Sequence, residues 1–186
     1  IEVCGGLECL NGFYSRRLNM CGIAGFLQSL DRNRATHDIT NSLLKFLHHR
    51  GPDSNGLVSL DNNRLSLAHT RLSILDLSSK GDQPMTFHNR FTITYNGEIY
   101  NFLELRATLE QKGYSFETKT DTEIILAAYA EWGSNCLEKF NGMWAFAIWD
   151  NVKKTLFLAR DRFGIKPLYF IHESRSCFAF SSEIQS

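Results

Sequence analysis

The sequence predicts an α+β fold in which strands outnumber helices. Three observations support this prediction. Short apolar runs typical of buried strands are spread over the chain, helical periodicity is confined to segments nearer its middle, and the two patterns do not alternate regularly. A regular strand–helix alternation would instead indicate a parallel α/β sheet. We therefore expect layers of sheets and helices.

The composition is that of a globular protein of about one domain. The chain has 186 residues, of which 43% are hydrophobic and 22% charged, so a core can form without disulfides or metals. The 20 basic residues balance the 20 acidic ones. Proteins that bind nucleic acids or membrane surfaces usually carry a clustered basic excess, so we expect neither partner.

The cysteines and the apolar runs bear on the compartment. The five cysteines are scattered and form no C-x-x-C pair, which fits a reducing compartment better than a disulfide framework. The longest strongly apolar run, 143–149, is far too short to span a bilayer. No secretory segment opens the sequence. These features predict a cytoplasmic protein.

The first predicted strand covers 21–27, a short apolar run with small residues. A helix is expected over 36–50, because four apolar residues recur at helical spacing and Gly51-Pro52 stops the pattern. Those four residues are Ile39, Leu43, Phe46 and Leu47. Further strands are predicted at 56–60, 64–74 and 91–95, with an Asp-Asn-Asn turn between the first two.

Two more helices are predicted after these strands. The first, 101–113, begins at Asn101 with Glu104 as its capping-box partner. The second, 120–132, begins with T-D-T-E, which has the same capping pattern. Four strands with tight turns complete the chain, at 143–150, 155–161, 168–173 and 177–182.

Residues 1–19 differ from the rest of the chain. They show neither helical nor strand periodicity, and the first methionine of the sequence is Met20. We interpret 1–19 as a leader or upstream-translated segment outside the mature domain, with a processed pro-segment as the alternative, and 20–186 as the domain. The sequence also stops without a cap or polar tail, so a further domain is expected beyond it.

Cys21 has two interpretations. A free cysteine is often a small buried hydrophobic residue. If Met20 is removed, however, Cys21 becomes the first residue and its thiol lies beside its own α-amine. An α-amine has a reference pKa of about 7.7–8.0. It is therefore a base near neutral pH that would activate the thiol as a nucleophile.

Asn96-Gly97 also has two interpretations. Asn-Gly between strand-like runs is a preferred hairpin turn. In the alternative, the Asn96 side-chain N–H and the Gly97 backbone N–H form an oxyanion hole. Glycine suits that role because it lets the backbone approach a substrate closely.

One basic and two acidic residues suit the recognition of an α-amino acid. Arg71 is either an exposed strand residue or a fork for a substrate carboxylate. Asp121 is either a first-turn acid favoured by the helix dipole or an acceptor for a substrate ammonium group. Glu98 has the same pair of structural and functional interpretations.

No metal or nucleotide motif accompanies these residues. The six histidines form no metal-ligand set, since His48 and His49 are adjacent and their side chains diverge on a helix. The sequence contains neither a P-loop nor a G-x-S-x-G motif. We therefore expect no metal and no cofactor in this domain.

A series of motifs carries a family resemblance. In order they are M-C-G-I-A-G-F, H-H-R-G-P-D-S-N-G, A-H-T-R-L-S-I-L-D-L, Q-P-M, Y-N-G-E-I-Y-N, T-D-T-E, F-N-G-M-W-A-F-A-I-W-D, A-R-D-R-F-G-I-K-P-L-Y and S-S-E-I-Q. With them, 20–186 resembles the glutaminase domain of glutamine-hydrolysing asparagine synthetases. That domain is a class-II glutamine amidotransferase with an N-terminal nucleophile. Cys21 separates the chain from the β-lactam-forming relatives, which have generally lost this cysteine.

The resemblance implies a fold, a reaction and residue roles. The fold is a four-layer αββα sandwich with two antiparallel sheets between helix layers, and the reaction hydrolyses glutamine to glutamate and ammonia through a thioester. Cys21 would be the nucleophile and its α-amine the general base. The implied oxyanion hole is Asn96 and Gly97, and the implied glutamine-binding residues are Arg71, Leu72, Ser73, Ile74, Leu75, Asn96, Gly97, Glu98 and Asp121. The resemblance assigns no role to Arg50, Asp53, Arg162 or Lys166.

The resemblance also implies a larger enzyme. Family members continue into an ATP-dependent synthetase domain with an S-G-G-L-D-S-type loop, which this sequence lacks. ATP and Mg would belong to that domain or to a separate subunit, which would use the ammonia to amidate aspartate. Two alternatives remain: a catalytically silent domain for glutamine binding or interaction, and a related amidotransferase with another acceptor.

Overall fold

Two five-stranded sheets and three α-helices make up the part of the protein that the computed structural model describes, residues 2–4, 20–28, 36–72, 81–173 and 176–184. In chain order the elements are β1 (Glu2–Cys4), β2 (Gly22–Gln28), α1 (Thr36–Leu47), β3 (Ser54–Leu60), β4 (Leu65–Arg71), β5 (Met85–Phe87), β6 (Phe91–Ile99), α2 (Phe102–Gln111), α3 (Asp121–Trp132), β7 (Gly142–Asp150), β8 (Thr155–Arg160), β9 (Tyr169–Glu173) and β10 (Cys177–Ser181). A 3₁₀ segment, Gly133–Lys139, lies between α3 and β7.

Each sheet has its own strand order. The first sheet runs β1-β8-β7-β6-β5, and the second runs β3-β4-β2-β10-β9. Neighbouring strands are antiparallel, except that β1 lies parallel to β8. The predicted α+β class with antiparallel sheets is therefore confirmed.

The two sheets pack face to face, as β7 shows. Ala145, Ala147 and Trp149 pack into a core shared with β2, β4 and β10, whereas Phe146 and Ile148 pack against α2 and α3. Both faces of β7 are thus buried. A strand buried on both faces has no need of alternating polar residues, which explains the uninterrupted run M-W-A-F-A-I-W.

The fourth layer is α1, on the outer face of the second sheet. Leu44 and Leu47 of α1 pack on Ala24 of β2 and Ala68 of β4. The layers therefore follow the order α1, second sheet, first sheet, and α2 with α3. This order confirms the predicted αββα sandwich.

The buried face of α1 differs from the prediction. Its buried residues are Thr36, Thr40, Leu44 and Leu47, and Phe46, which was expected on the apolar stripe, is 61% exposed. Neighbouring helical positions differ by about 100° around the axis. Leu47 is buried as predicted, while the rest of the stripe is displaced by about one residue, from Ile39 and Leu43 to Thr40 and Leu44. At the start of the helix the Thr36 hydroxyl donates to Asn63 O and accepts from Ser66.

The predicted capping boxes do not form. Asn101 precedes α2, but its side chain donates to Lys139 O and accepts from Asn141 N, both at 2.9 Å. The Glu123 carboxylate of α3 instead accepts from the backbone N–H groups of Glu117 and Thr118. Asn101 thus binds residues that are distant in sequence, whereas Glu123 binds backbone N–H groups five and six residues before it rather than the N–H of Thr120.

Short strands are the other difference from the prediction. No strand is predicted from the sequence at Glu2–Cys4 or Met85–Phe87, because three residues are too few to show a period of two. Both segments become strands through pairing with distant partners, β1 with β8 and β5 with β6. The Asp-Asn-Asn turn is confirmed, with positive φ at Asp61, Asn62 and Asn63.

Candidate active site

A pocket lies at one end of the two sheets, where their adjoining strands carry most of the predicted site residues. Within the described part of the chain it is lined by Cys21, His69, Arg71, Leu72, Gly81, Gln83, Tyr95, Gly97, Glu98, Thr120, Asp121 and Thr122. Strands β2 and β4 supply one wall, since Gly22 pairs with Thr70 and places Cys21 beside Arg71. Strand β6 and the start of α3 supply the other.

Cys21 directly precedes β2 and carries a free thiol. The backbone N–H of Leu72 donates to Sγ at 3.4 Å, and Sγ lies 3.7 Å from Leu72 O. Burial raises the pKa of the thiol, and the positive charges of Lys166 and Arg71 act in the opposite direction. The structure thus places a sulfur atom, with cations nearby, on the wall of the pocket.

Arg71 ends β4 and is largely buried. Its Nη1 donates to Asp82 Oδ1 at 2.7 Å. The R-G-P-D motif packs against this point of the strand, because Asp53 N donates to Arg71 O at 3.1 Å and a Cβ on Gly51 would clash with the backbone of Thr70 and Arg71. The interpretation of Arg71 as an exposed strand residue is wrong.

Asn96-Gly97 is not a hairpin turn. Both residues lie inside β6, where Asn96 pairs with Ala145 and Gly97 with Trp144 of β7. A Cβ on Gly97 would collide with Met143 O and come within 2.8 Å of Trp144 Cα. The glycine is therefore required by the close approach of β7, rather than by a turn conformation.

The backbone of β6 directs three N–H groups to the edge that faces the pocket. Tyr95 N donates to Gln83 Oε1 at 2.7 Å, and Ile99 N donates to Asp121 Oδ2 at 2.9 Å. Alternate residues of a strand direct their N–H groups to the same side, so Gly97 N–H points to this edge as well. Strand β5 pairs only with Phe91–Ile93 and does not extend to Gly97.

The Asn96 side chain is 2% exposed. Its Nδ2 is buried and has no hydrogen-bond partner in the residues that the structure describes. An unsatisfied buried donor costs free energy, about 1–3 kcal/mol. Asn96 does not line the pocket surface itself, but it neighbours Gly97, which does.

The two acidic residues line the pocket opposite Arg71. Asp121 Oδ2 accepts from the Tyr95 hydroxyl at 2.7 Å in addition to the Ile99 N–H. Burial raises the pKa of Asp121, and these two hydrogen bonds partly offset that effect. Glu98, on β6, is half-buried and makes no ion pair within the described ranges.

Leu72 lines the pocket, as predicted. The predicted pocket residues Ser73, Ile74 and Leu75 lie outside the described residues. Among the residues that the structure describes, no group of three or more His, Cys, Asp and Glu side chains is placed to hold a metal ion.

Six residues that line the pocket were not predicted as site residues: His69, Gly81, Gln83, Tyr95, Thr120 and Thr122. His69 Nε2 donates to Tyr95 O at 3.1 Å, and burial lowers its pKa to about 4, so the ring is neutral. Gln83 accepts from Tyr95 N, and Tyr95 bonds to Asp121. The sequence signal was that five of them, His69, Gln83, Tyr95, Thr120 and Thr122, fall within the motifs A-H-T-R, Q-P-M, Y-N-G-E and T-D-T-E.

Arg50 is more than a helix-end cation. Its Nε donates to Cys21 O at 3.2 Å, and its Nη1 pairs with Glu183 at 3.0 Å. The side chain is buried behind the pocket, so it fixes the backbone of the residue that carries the thiol. The motif H-H-R-G-P-D therefore contacts the site through both Arg50 and Gly51.

A profile of the glutamine amidotransferase domain family matches residues 20–186. This chain belongs to that family. The fold of the amidotransferase domain is also that of a glutamine phosphoribosylpyrophosphate amidotransferase from Bacillus subtilis, with a TM-score of 0.73 at 22% identity over 88% of this chain and 42% of that one.

Two relatives of the amidotransferase domain are similar along most of this chain. A putative glutamine-hydrolysing asparagine synthetase of Methanocaldococcus jannaschii is 40% identical over 183 residues, 89% of this chain and 34% of the relative. Asparagine synthetase 3 of Bacillus subtilis is 40% identical over 174 residues, 90% of this chain and 27% of the relative. The chain thus spans about a third or less of these relatives.

No helix of the amidotransferase domain, within the residues that the structure describes, has the length and apolar composition needed to cross a membrane.

Proposed function

We propose that this domain hydrolyses glutamine to glutamate and ammonia, with Cys21 as the nucleophile. One arrangement supports the proposal above all others. A single pocket contains a thiol, an arginine beside it on β4, and two carboxylates on the opposite wall. Those groups match the reacting amide, the α-carboxylate and the α-ammonium of a free amino acid.

Recognition of glutamine rests on the two charged walls. Arg71 binds the α-carboxylate, and Asp82 holds its guanidinium in place from the other side. Leu72 lines the same wall, and we propose that Ser73, Ile74 and Leu75 also take part in glutamine binding. Glu98 and Asp121 bind the α-ammonium group. The Tyr95 and Ile99 donors fix Asp121 Oδ2 before a substrate arrives.

The chemistry starts once Cys21 is the first residue. Its free α-amine takes the thiol proton, and Sγ attacks the side-chain carbonyl carbon of glutamine. The oxygen of the tetrahedral intermediate accepts hydrogen bonds from Asn96 Nδ2 and Gly97 N–H. The amine then returns the proton to the leaving nitrogen, which departs as ammonia. Water cleaves the resulting thioester and releases glutamate.

The oxyanion assignment is supported by the unsatisfied donor of Asn96. Its buried Nδ2 has no partner in the described part of the chain, and the next residue, Gly97, lines the pocket. A negative oxygen would satisfy both Nδ2 and the Gly97 N–H. Donors placed before the reaction need no reorganisation in the transition state.

We also propose a wider role as the glutaminase half of an asparagine synthetase. The similar relatives are named for that activity and are about three times as long as this chain or longer. In this role, ATP and Mg bind to a synthetase domain or subunit, which uses the ammonia to amidate aspartate, and the glutaminase domain itself needs no cofactor. A cytoplasmic location is part of the same proposal, in keeping with its free cysteines.

A glutaminase assay tests the proposal. The chain is trimmed to begin at Cys21, and glutamate release is compared between the parent, Cys21→Ala and Cys177→Ala. Cys177 is a second free thiol, on β10, and serves as the matched control. Only Cys21→Ala should lose activity. Equal rates in the parent and Cys21→Ala would contradict the proposal, and glutamine binding without hydrolysis by the parent would favour the silent-domain alternative.

A further inference from the structure

The Lys166 side chain lies at the active site without an assigned role. It is 6% exposed, and its Nζ lies 3.0 Å from the sulfur of Met20, the residue directly before Cys21. A thioether is only a weak hydrogen-bond acceptor. The ammonium group is therefore buried beside the nucleophile with a poor partner.

The loop between β8 and β9 is built to hold Lys166 in this position. The Asp161 carboxylate accepts from the backbone N–H groups of Phe163, Ile165 and Lys166 at 2.9–3.1 Å. Arg160 Nε donates to Lys166 O at 2.8 Å. Both carboxylate oxygens of Asp161 and the guanidinium of Arg160 thus form hydrogen bonds with the loop backbone. These bonds hold Lys166 in a fixed position.

Lys166 differs from the other two cations near Cys21. Arg50 is paired with Glu183 at 3.0 Å, and Arg71 with Asp82 at 2.7 Å. Within the described residues, Lys166 has no carboxylate partner within 4.0 Å. A buried cation without a partner is costly unless an anion comes close to it.

We propose that Lys166 is a positioning residue whose ammonium group stabilises the thiolate form of Cys21. The inference rests on the proposed role of Cys21 as the nucleophile. The thiolate is the anion that the buried ammonium lacks, and it is the reactive form of a cysteine. Burial lowers the pKa of Lys166, and the charge of Cys21 raises it.

The charges that face this part of the pocket come from every element packed around it. They are Arg50 at the end of α1, Arg71 on β4, Glu98 on β6, Asp161 after β8 and Asp121 on α3. The negative charges of Glu98 and Asp121 disfavour a thiolate at Cys21. The positive charges of Arg50 and Arg71 are largely neutralised by the carboxylates with which they are paired. Among these cations, within the described residues, Lys166 is the one without a carboxylate at ion-pair distance, although the charges of Glu98 and Asp161 also act on it.

The test is the pH dependence of Cys21 alkylation by iodoacetamide in the full chain, measured by mass spectrometry of the peptide that contains Cys21. This measurement needs neither a free α-amine nor glutamine hydrolysis. Lys166→Met and Lys166→Gln remove the charge, and Lys166→Arg keeps it. Lys153→Met, in the exposed turn after β7, removes one lysine charge far from the pocket. Circular dichroism checks that each variant is folded.

We expect both neutral variants to move the midpoint of Cys21 alkylation to higher pH by roughly one unit. Lys166→Arg and Lys153→Met should keep the midpoint of the parent. Unchanged midpoints in folded neutral variants would overturn the inference. If the trimmed parent hydrolyses no glutamine but the neutral variants still shift the alkylation midpoint of Cys21, the proposed function is contradicted and the effect of Lys166 on the thiol stands.

Discussion

The Tyr95 hydroxyl donates a hydrogen bond of 2.7 Å to Asp121 Oδ2, and this bond joins β6 to the start of α3 within one wall of the pocket. Both residues are buried. Burial raises the pKa of Asp121, while the hydrogen bonds from Tyr95 and Ile99 lower it. Tyr95 thus helps to keep the Asp121 carboxylate ionised where the proposed substrate presents its ammonium group.

Tyr95→Phe should therefore weaken glutamine binding. A hydrogen bond to a charged group contributes about 1.5–3 kcal/mol, so we expect KM to rise roughly tenfold or more while kcat changes less. Without the hydroxyl, the pKa of Asp121 is higher, and KM should increase more steeply as the pH falls. Steady-state kinetics across a pH series measure both effects. Tyr100→Phe, at an exposed position, is the control, and equal KM values in the two variants would contradict the prediction.

Arg71→Ala and Asp121→Ala should each raise KM for glutamine by roughly thirtyfold or more. Truncating one partner of a buried charge pair costs about 2–5 kcal/mol. Arg64→Ala is the matched control, because Arg64 pairs with Asp61 at the opposite end of β4. Arg50 is unsuitable as a control, since it contacts Cys21 O. Similar KM values in all three variants would mean that the substrate binds elsewhere.

Much of the fold follows from local patterns, because buried strands appear as apolar runs and each helix has one buried stripe. Most of the predicted strands and the Asp-Asn-Asn turn are confirmed on this basis. The four layers, which the family resemblance implied, are confirmed as well. The two capping boxes are wrong because Asn101 bonds to Lys139 and Asn141, which are distant in sequence. Glu123 bonds to the backbone just before α3 instead of to the Thr120 N–H. The strands β1 and β5 exist only through pairing with distant strands.

The candidate site likewise contains residues that could be predicted from the sequence and residues that could not. Cys21, Arg71 and Asp121 were predicted from residue chemistry and family motifs, and they line one pocket. His69 and Arg50 were not predicted, because their roles depend on contacts with Tyr95 O and Cys21 O, backbone atoms that are distant in sequence. A sequence pattern shows which side chains are present, but not which remote carbonyl each will reach.

The buried His69 should make the folded state sensitive to acid. Its pKa is lowered from 6.5 to about 4, so the unfolded chain binds a proton at a higher pH than the folded chain does. The free energy of unfolding should therefore fall as the pH drops from 6.5 toward 4, by about 3 kcal/mol in total from this group.

Urea unfolding at several pH values measures this loss. His69→Gln keeps a donor for Tyr95 O but does not titrate, so its stability should fall less over the same pH range. His48→Gln, at an exposed position after α1, should retain the slope of the parent. The assignment fails if His69→Gln and the parent lose stability equally.

The residues before Cys21 should prevent catalysis. In the full chain the Cys21 nitrogen is an amide, which cannot accept a proton near neutral pH, and proton-transfer assistance typically contributes about 10²–10⁴-fold. Met20 also lies against Lys166 beside the pocket. A chain trimmed to begin at Cys21 should therefore hydrolyse glutamine at least about a hundredfold faster than the full chain. Side-by-side assays, with mass spectrometry of each N-terminus, check this prediction. If the full chain is as fast as the trimmed one, the α-amine is not the base, and proton transfer must come from another group of the pocket.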